Sequence, residues 1–179
     1  MCPAVLYHLR VDMRNVFDQY NQPENRLTHA LAVCLHEDRV LLSGFLVWIG
    51  IKLPTRAQAL MLAEQSLPGD APETEEDAEQ KGLPDIVIHD GVTWCLLIES
   101  KVQAALTDDQ LARHERTLRR RGFEQVHRLA LTKAGVRVPR NTIASTWSKL
   151  YEWLGKTGRS REWSERDRKS TRLNSSHRL

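Results

Sequence analysis

The stretch 83-LPDIVIHDGVTWCLLIESK-101 decides how this chain is read. Two apolar runs, at 86–88 and 94–98, flank the turn-forming pair Asp90 and Gly91, which is the pattern of paired strands. Each run ends in charge. Asp85 opens the first, and Glu99 and Lys101 close the second. Residues two apart on a strand share a face, so Glu99 and Lys101 project together while Ser100 points the other way. Cys95 and Leu97 lie in the same row, an apolar face that runs out into a polar tip. A solvent-exposed ion pair at a strand end explains this at a worth of about 0–1 kcal/mol. A chemical explanation is also available. Carboxylates at one sheet edge are the hard oxygen ligands that Mg²⁺ takes one or two at a time. An ammonium beside them can position a water and offset charge developing on a phosphate.

Register separates these explanations. With a two-residue turn at Asp90 and Gly91, Asp85 faces Leu96, and Glu99 falls roughly 10 Å away on the opposite face. A three- or five-residue connection centred on Val92, or an equivalent bulge, sets Asp85 across from Glu99. The metal reading requires the looser connection.

Outward from this hairpin, the chain alternates helical and strand patterns. Residues 21–38 read as an amphipathic helix, with Pro23 in its first turn and Leu27, Ala30, Leu31, Cys34 and Leu35 recurring at helical spacing. A second helix is expected over 40–49, with Leu41, Leu42, Phe45, Leu46 and Ile49 buried. Residues 68–82 carry six acids and almost no apolar side chain, the composition of an exposed loop or weak edge strand. A helix over 106–123 has Thr107 to cap it, acids in its first turn and arginines in its last before Gly122. A strand at 126–132 follows. A final helix at 144–154 is expected to bury Trp147, Leu150, Tyr151 and Leu154. The order is that of a mixed α/β core with helices on both faces.

Bulk composition sets limits. The 179 residues suit one domain, with 41% hydrophobic and 27% charged content. Cys2, Cys34 and Cys95 are an odd number at unrelated spacings, which fits a reducing compartment rather than a disulfide frame or structural zinc. No signal segment or membrane-length apolar run is evident, so a cytoplasmic protein without membrane partners is expected. The last thirteen residues, 167–179, match in one frame the translation of a widely used sequencing adapter and are set aside as a non-native tail. That tail's four cations and one acid account for the whole formal charge of +3. Overall charge therefore says nothing about nucleic acid. The segment 158–166 begins a helical pattern that the tail interrupts, so the natural domain, 1–166 here, is expected to continue further.

Three short motifs together resemble the PD-(D/E)XK nuclease superfamily: Pro84–Asp85, Glu99–Ser100–Lys101, and 110-QLARH-114. The segment 23-PENRLTHAL-31 is similar to the opening helix of some bacterial members. The resemblance covers roughly residues 21–154 and implies a restriction-endonuclease-like mixed four-stranded sheet flanked by helices. It implies a metal-dependent nuclease acting on phosphodiester bonds, most readily of DNA, with Mg²⁺ or Mn²⁺ as cofactor. Asp85 and Glu99 would hold the metal, with Ser100 of the same motif placed in the ligand set. Lys101 would orient or activate the attacking water. Glu24 would be an accessory acid reaching the metal through water, and Gln110 would support the site from the following helix. A homodimer and a role in restriction or phage defence are further implications. The first core strand of that fold should fall near 71–80, where strand propensity is poor.

Each secondary candidate has a plainer account. Glu24 stabilises a helix N-terminus without any metal, and Arg113, Arg116, Arg119, Arg120 and Arg121 suit a solvated helix face. His114 reads as structural. No Gly-rich phosphate loop is present. Two other readings of the whole stay open: a catalytically inactive nuclease-like module that binds nucleic acid or a partner protein, and an unrelated α/β domain with a surface ion pair.

Overall fold

Why the ladder registers as it does begins with Asp90. In the computed structural model, which describes residues 23–68, 83–102 and 106–157, the Asp90 Oδ1 accepts from the backbone N–H groups of Val92, Thr93 and Trp94 at 2.9, 3.0 and 3.0 Å. The Asp90 N–H donates to the Trp94 carbonyl at 3.1 Å. Gly91 takes φ +76° inside this loop, a left-handed conformation that costs a non-glycine residue about 1–2 kcal/mol. Three residues thus lie between the hydrogen-bonded pair Asp90 and Trp94, and the connection is centred on Val92. Strand β2 (Ile86–His89) pairs antiparallel with β3 (Trp94–Lys101) in the register Ile86 to Ile98, Val87 to Leu97, Ile88 to Leu96 and His89 to Cys95.

The rest of the sheet grows from this hairpin. Strand β1 (Met61–Glu64) adds antiparallel to β2, with Leu62 opposite Ile88 and Glu64 opposite Ile86. Helix α3 (Asp108–Arg120) then carries the chain over one face, so β4 (Gln125–Thr132) returns parallel to β3, with Glu99 opposite Ala130. Strand β5 (Ile143–Thr146) joins parallel to β4. The result is a mixed sheet of five strands in the order β1-β2-β3-β4-β5.

Helix layers cover the two faces unequally. Helices α1 (Pro23–Glu37), α2 (Arg39–Trp48) and α4 (Trp147–Thr157) lie over the face that carries Ile86, Ile88, Leu96 and Ile98. Leu31, Leu35, Leu41, Phe45, Leu46 and Leu150 fill that layer, and Trp48 stacks on Trp153 at 5.3 Å. Asp38 caps α2 through the N–H groups of Val40 and Leu41. The opposite face holds a smaller core in which Leu111, Leu118 and Phe123 pack on Val87, Cys95 and Leu97. Thr107 caps α3 by accepting from the Gln110 N–H.

Several expectations change. Among the described residues the sheet has five strands rather than four. Its first strand is Met61–Glu64, earlier than the 71–80 stretch, which lies outside the described residues, as do the acidic segment around it and residues 158–179. The final helix begins at Trp147, because Ile143–Thr146 is spent on edge strand β5. Tyr151, expected in the core, is 79% exposed, and Leu150 alone of that helix is fully buried. No helix among the described residues is long and apolar enough to cross a membrane.

Burial by itself would raise the Asp90 carboxyl, but the N–H donors of Trp94, Val92 and Thr93 outweigh it and hold the group below its ordinary value. A carboxyl whose folded value lies below the unfolded one contributes stability above the unfolded value. That contribution is lost as pH falls through the folded one. Asp90→Ala is therefore expected to lower the unfolding free energy by about 1–3 kcal/mol at pH 7. In urea titrations the deficit should shrink as pH falls below about 4. A deficit that is undiminished at pH 3 would show that the carboxylate charge is not what holds the turn.

Candidate functional site

The β2–β3 ladder delivers two carboxylates to one edge. Its last regular pair is Ile86 with Ile98, so the next step sets Asp85 across from Glu99. Directly opposed residues of an antiparallel pair have Cβ atoms about 4.5–5.5 Å apart. Both acids belong by period to the face of Val87 and Leu97, which α3 covers. Pro84 has no N–H to offer a ladder and stands at the strand's start, where that loss is tolerated. The chain beyond Ile86 is tied instead by Asp85 itself. Its carbonyl accepts from Gln65 N–H at 2.9 Å, and its Oδ2 accepts from Ser100 N–H at 2.6 Å.

Glu99 is 1% exposed, which demands compensation for its charge. Lys101 Nζ lies 2.9 Å from Glu99 Oε1, and Gln110 Nε2 donates to the same oxygen at 2.5 Å. Lys101 is on the same strand face two residues on, and Gln110 comes from the first turn of α3. His114, one turn along that helix, brings Nε2 within 3.6 Å of Glu99 Oε2, too long for a hydrogen bond. Burial, with Arg113 and Lys101 nearby, pushes His114 down to about 4, so at neutral pH it is an uncharged wall of the site. Lys101 is thus the cation that offsets Glu99.

Five of the six residues expected at the site can be placed. Asp85, Glu99, Lys101 and Gln110 converge at the C-terminal end of β3. Ser100 contributes its main-chain N–H to Asp85, while its hydroxyl is buried on the other face, so only its backbone addresses this edge. Glu24 lies in the first turn of α1, and its side chain is outside the described residues. Helix α1 packs on the face opposite α3, yet its early turns come near the same sheet edge. His29 Nδ1 meets both oxygens of Glu64, the last residue of β1, at 2.9 Å. That pair is buried, with side chains 1% and 5% exposed. It escaped the sequence reading because it joins residues 35 apart, and only an acid directly after an apolar run could have hinted at it.

Among the described residues no group of three or more His, Cys, Asp or Glu side chains is gathered for a metal. The donor set is smaller, two opposed carboxylates with hard oxygens, and it fits an ion that keeps most of its coordination sphere as water. The chain matches no protein-family model, no curated protein and no solved structure. The site's own chemistry therefore carries the functional argument.

Removing the lysine leaves a buried carboxylate without its cation, so Lys101→Met is expected to cost about 3 kcal/mol of stability. Adding Glu99→Gln should recover part of that loss, giving a coupling of about 1–3 kcal/mol in a double-mutant cycle by urea denaturation. Strictly additive effects would mean that the two charges do not compensate each other.

Proposed function

We propose that this chain is a metal-dependent nuclease that hydrolyses phosphodiester bonds, with DNA as its substrate. The observation that carries the reading is the register centred on Val92, which opposes Asp85 to Glu99 with Lys101 on the same face. A surface ion pair would need neither the second acid nor the near-complete burial of Glu99. The topology supports the reading as well. Two helices, three antiparallel strands, a crossover helix and two further parallel strands make a mixed sheet flanked by helices, which agrees with the coarse architecture that the resemblance implies.

Asp85 and Glu99 would hold Mg²⁺ or Mn²⁺, which supplies polarisation of a phosphate oxygen and a more acidic bound water. The chain's own groups do the rest. Ser100 N–H holds one oxygen of Asp85 in place, and Gln110 fixes Glu99 through its Oε1. Lys101 brings three N–H donors on a flexible stem to the rim of the site, 14% exposed. There it can orient the attacking water and offset the charge that grows on the phosphate. Glu24 serves as the accessory acid, an assignment that rests on the sequence resemblance.

Supercoiled plasmid should be nicked by the chain with Mg²⁺ or Mn²⁺ and left intact in EDTA. Lys101→Ala, shown to be folded by circular dichroism, should lose at least about a hundredfold in rate, as does removal of other transition-state charge stabilisers. Asp85→Asn should do the same. A folded wild-type chain that cuts neither duplex, single-stranded DNA nor RNA with either ion would overturn the proposal. The inactive binding module would then replace it.

A further inference from the structure

A second feature lies across the first turn of α3 from the candidate centre. A cleft of about 770 Å³ opens between the start of α3 and the 133–142 connection, lined by Leu106, Asp108, Ala112, Arg128, Arg137, Val138, Pro139 and Arg140. Two links tie it to the centre. Asp108 stands in the same first turn of α3 as Gln110, which holds Glu99, but two residues away, so the cleft and the centre flank that turn from opposite sides. The connection leaves β4 beside Lys101, where Lys133 N–H donates to the Lys101 carbonyl at 3.2 Å.

The arginines near this face are not equivalent. Arg119 is bound to Glu115 and to the Glu124 carbonyl, and Arg121 to the Pro68 carbonyl. Arg128 is also committed. It pairs with Glu115 Oε2 at 3.4 Å and donates to the carbonyls of Arg140 and Asn141. It thereby pins the far end of the connection and orders the cleft's rim. Arg137 and Arg140 are exposed, and among the described residues neither makes an ion pair. Lys133 adds a third exposed cation at the start of the connection. Against them the lining sets a single acid, Asp108, at a helix N-terminus whose dipole partly offsets it. Leu106, Ala112, Val138 and Pro139 give the cleft an apolar component. Cations above an apolar floor suit a sugar–phosphate strand better than a free anion, which needs no floor.

We propose that this cleft holds the nucleic-acid strand that flanks the scissile bond, across the first turn of α3 from the centre, with Arg137 and Arg140 gripping its backbone phosphates. The proposal rests on the nuclease reading for the position of the scissile bond, but its binding function can be measured alone. Backbone contacts of this kind are sequence-independent and salt-dependent.

The test is fluorescence anisotropy of labelled single-stranded and duplex oligonucleotides with the full chain in EDTA, which stops hydrolysis. Arg137→Ala/Arg140→Ala should weaken binding at least about tenfold at low salt. It should also flatten the plot of log K against log salt by about 1.4 for a single strand or about 1.8 for a duplex. The charge-matched control Arg120→Ala/Lys149→Ala, with both residues away from the cleft, should change neither. Equal affinity and slope for the double variant and wild type would overturn the cleft proposal, as would absence of binding by wild type. A parallel plasmid assay separates the two readings. Nicking that is unimpaired in the double variant sinks the cleft and keeps the nuclease. Arginine-dependent binding without metal-dependent nicking does the reverse.

Discussion

Everything chemical in this molecule depends on parity in one hairpin. Strands β2 and β3 are buried on both faces, so their apolar patterns do not distinguish one register from the next. Ile86, Val87 and Ile88 would find apolar partners after a slip of one residue. The charged ends would not. A slip would separate Asp85 from Glu99 and put them on opposite faces. Discrimination therefore falls to the loop, where one carboxylate gathers three successive N–H groups and Gly91 supplies the left-handed turn that an odd-numbered connection needs. A surface turn controls the composition of a buried site one strand-length from its own side chains.

The site is maintained against its own electrostatics. Moving a carboxylate into a nearly water-free position costs several kcal/mol, and a nearby cation offsets that cost only when geometry is good. Helix α3 supplies part of the geometry as a by-product of packing. Leu111 and Leu118 seat it on Val87, Cys95 and Leu97, and the same placement brings Gln110 to Glu99. A hydrophobic residue at position 99 would extend the row of Cys95 and Leu97 without any such compensation. The acid is thus a departure from what the fold alone favours, and departures of this sort concentrate where chemistry is done.

Much of this was legible in the residues, for identifiable reasons. The helices before the sheet and α3 show 3.6-residue periodicity, and α3 has its cap at Thr107. The central strands are long apolar runs bounded by turn chemistry. The edge strands were not legible. Met61–Glu64 is too short to establish a period, and Ile143–Thr146 runs directly into Trp147 without a breaker, so it reads as the helix's first turn. Tyr151 misleads because helical spacing places it one residue from buried Leu150, yet the helix is covered on one side only. The meeting of Asp85, Glu99, Lys101 and Gln110 could be posed from sequence as a condition on register. It could not be decided there, since two- and three-residue loops are both compatible with Asp90–Gly91. The His29–Glu64 pair, joining a helix to a strand across the sheet end, leaves no local signal beyond an acid directly after an apolar run.

Catalysis and inert binding make opposite demands on these residues. A module that only grips a phosphate backbone gains from Arg137, Arg140 and Lys133, but loses from acids placed close to them, since carboxylates repel phosphates. Asp85 and Glu99 would weaken such a module and cost stability besides. With a divalent cation between acid and phosphate the same arrangement changes sign, because the ion converts repulsion into a bridge. Lys101 fits only the second scheme. Beside Glu99 it neutralises one buried charge, and its position at the rim of the site, 14% exposed, is one from which an ammonium could offset charge on a bound phosphate. Acids opposed at the sheet edge, a lysine between them and solvent, and a basic cleft across the first turn of α3 form a charge sequence that a catalytic site would use throughout and a binding site only in part.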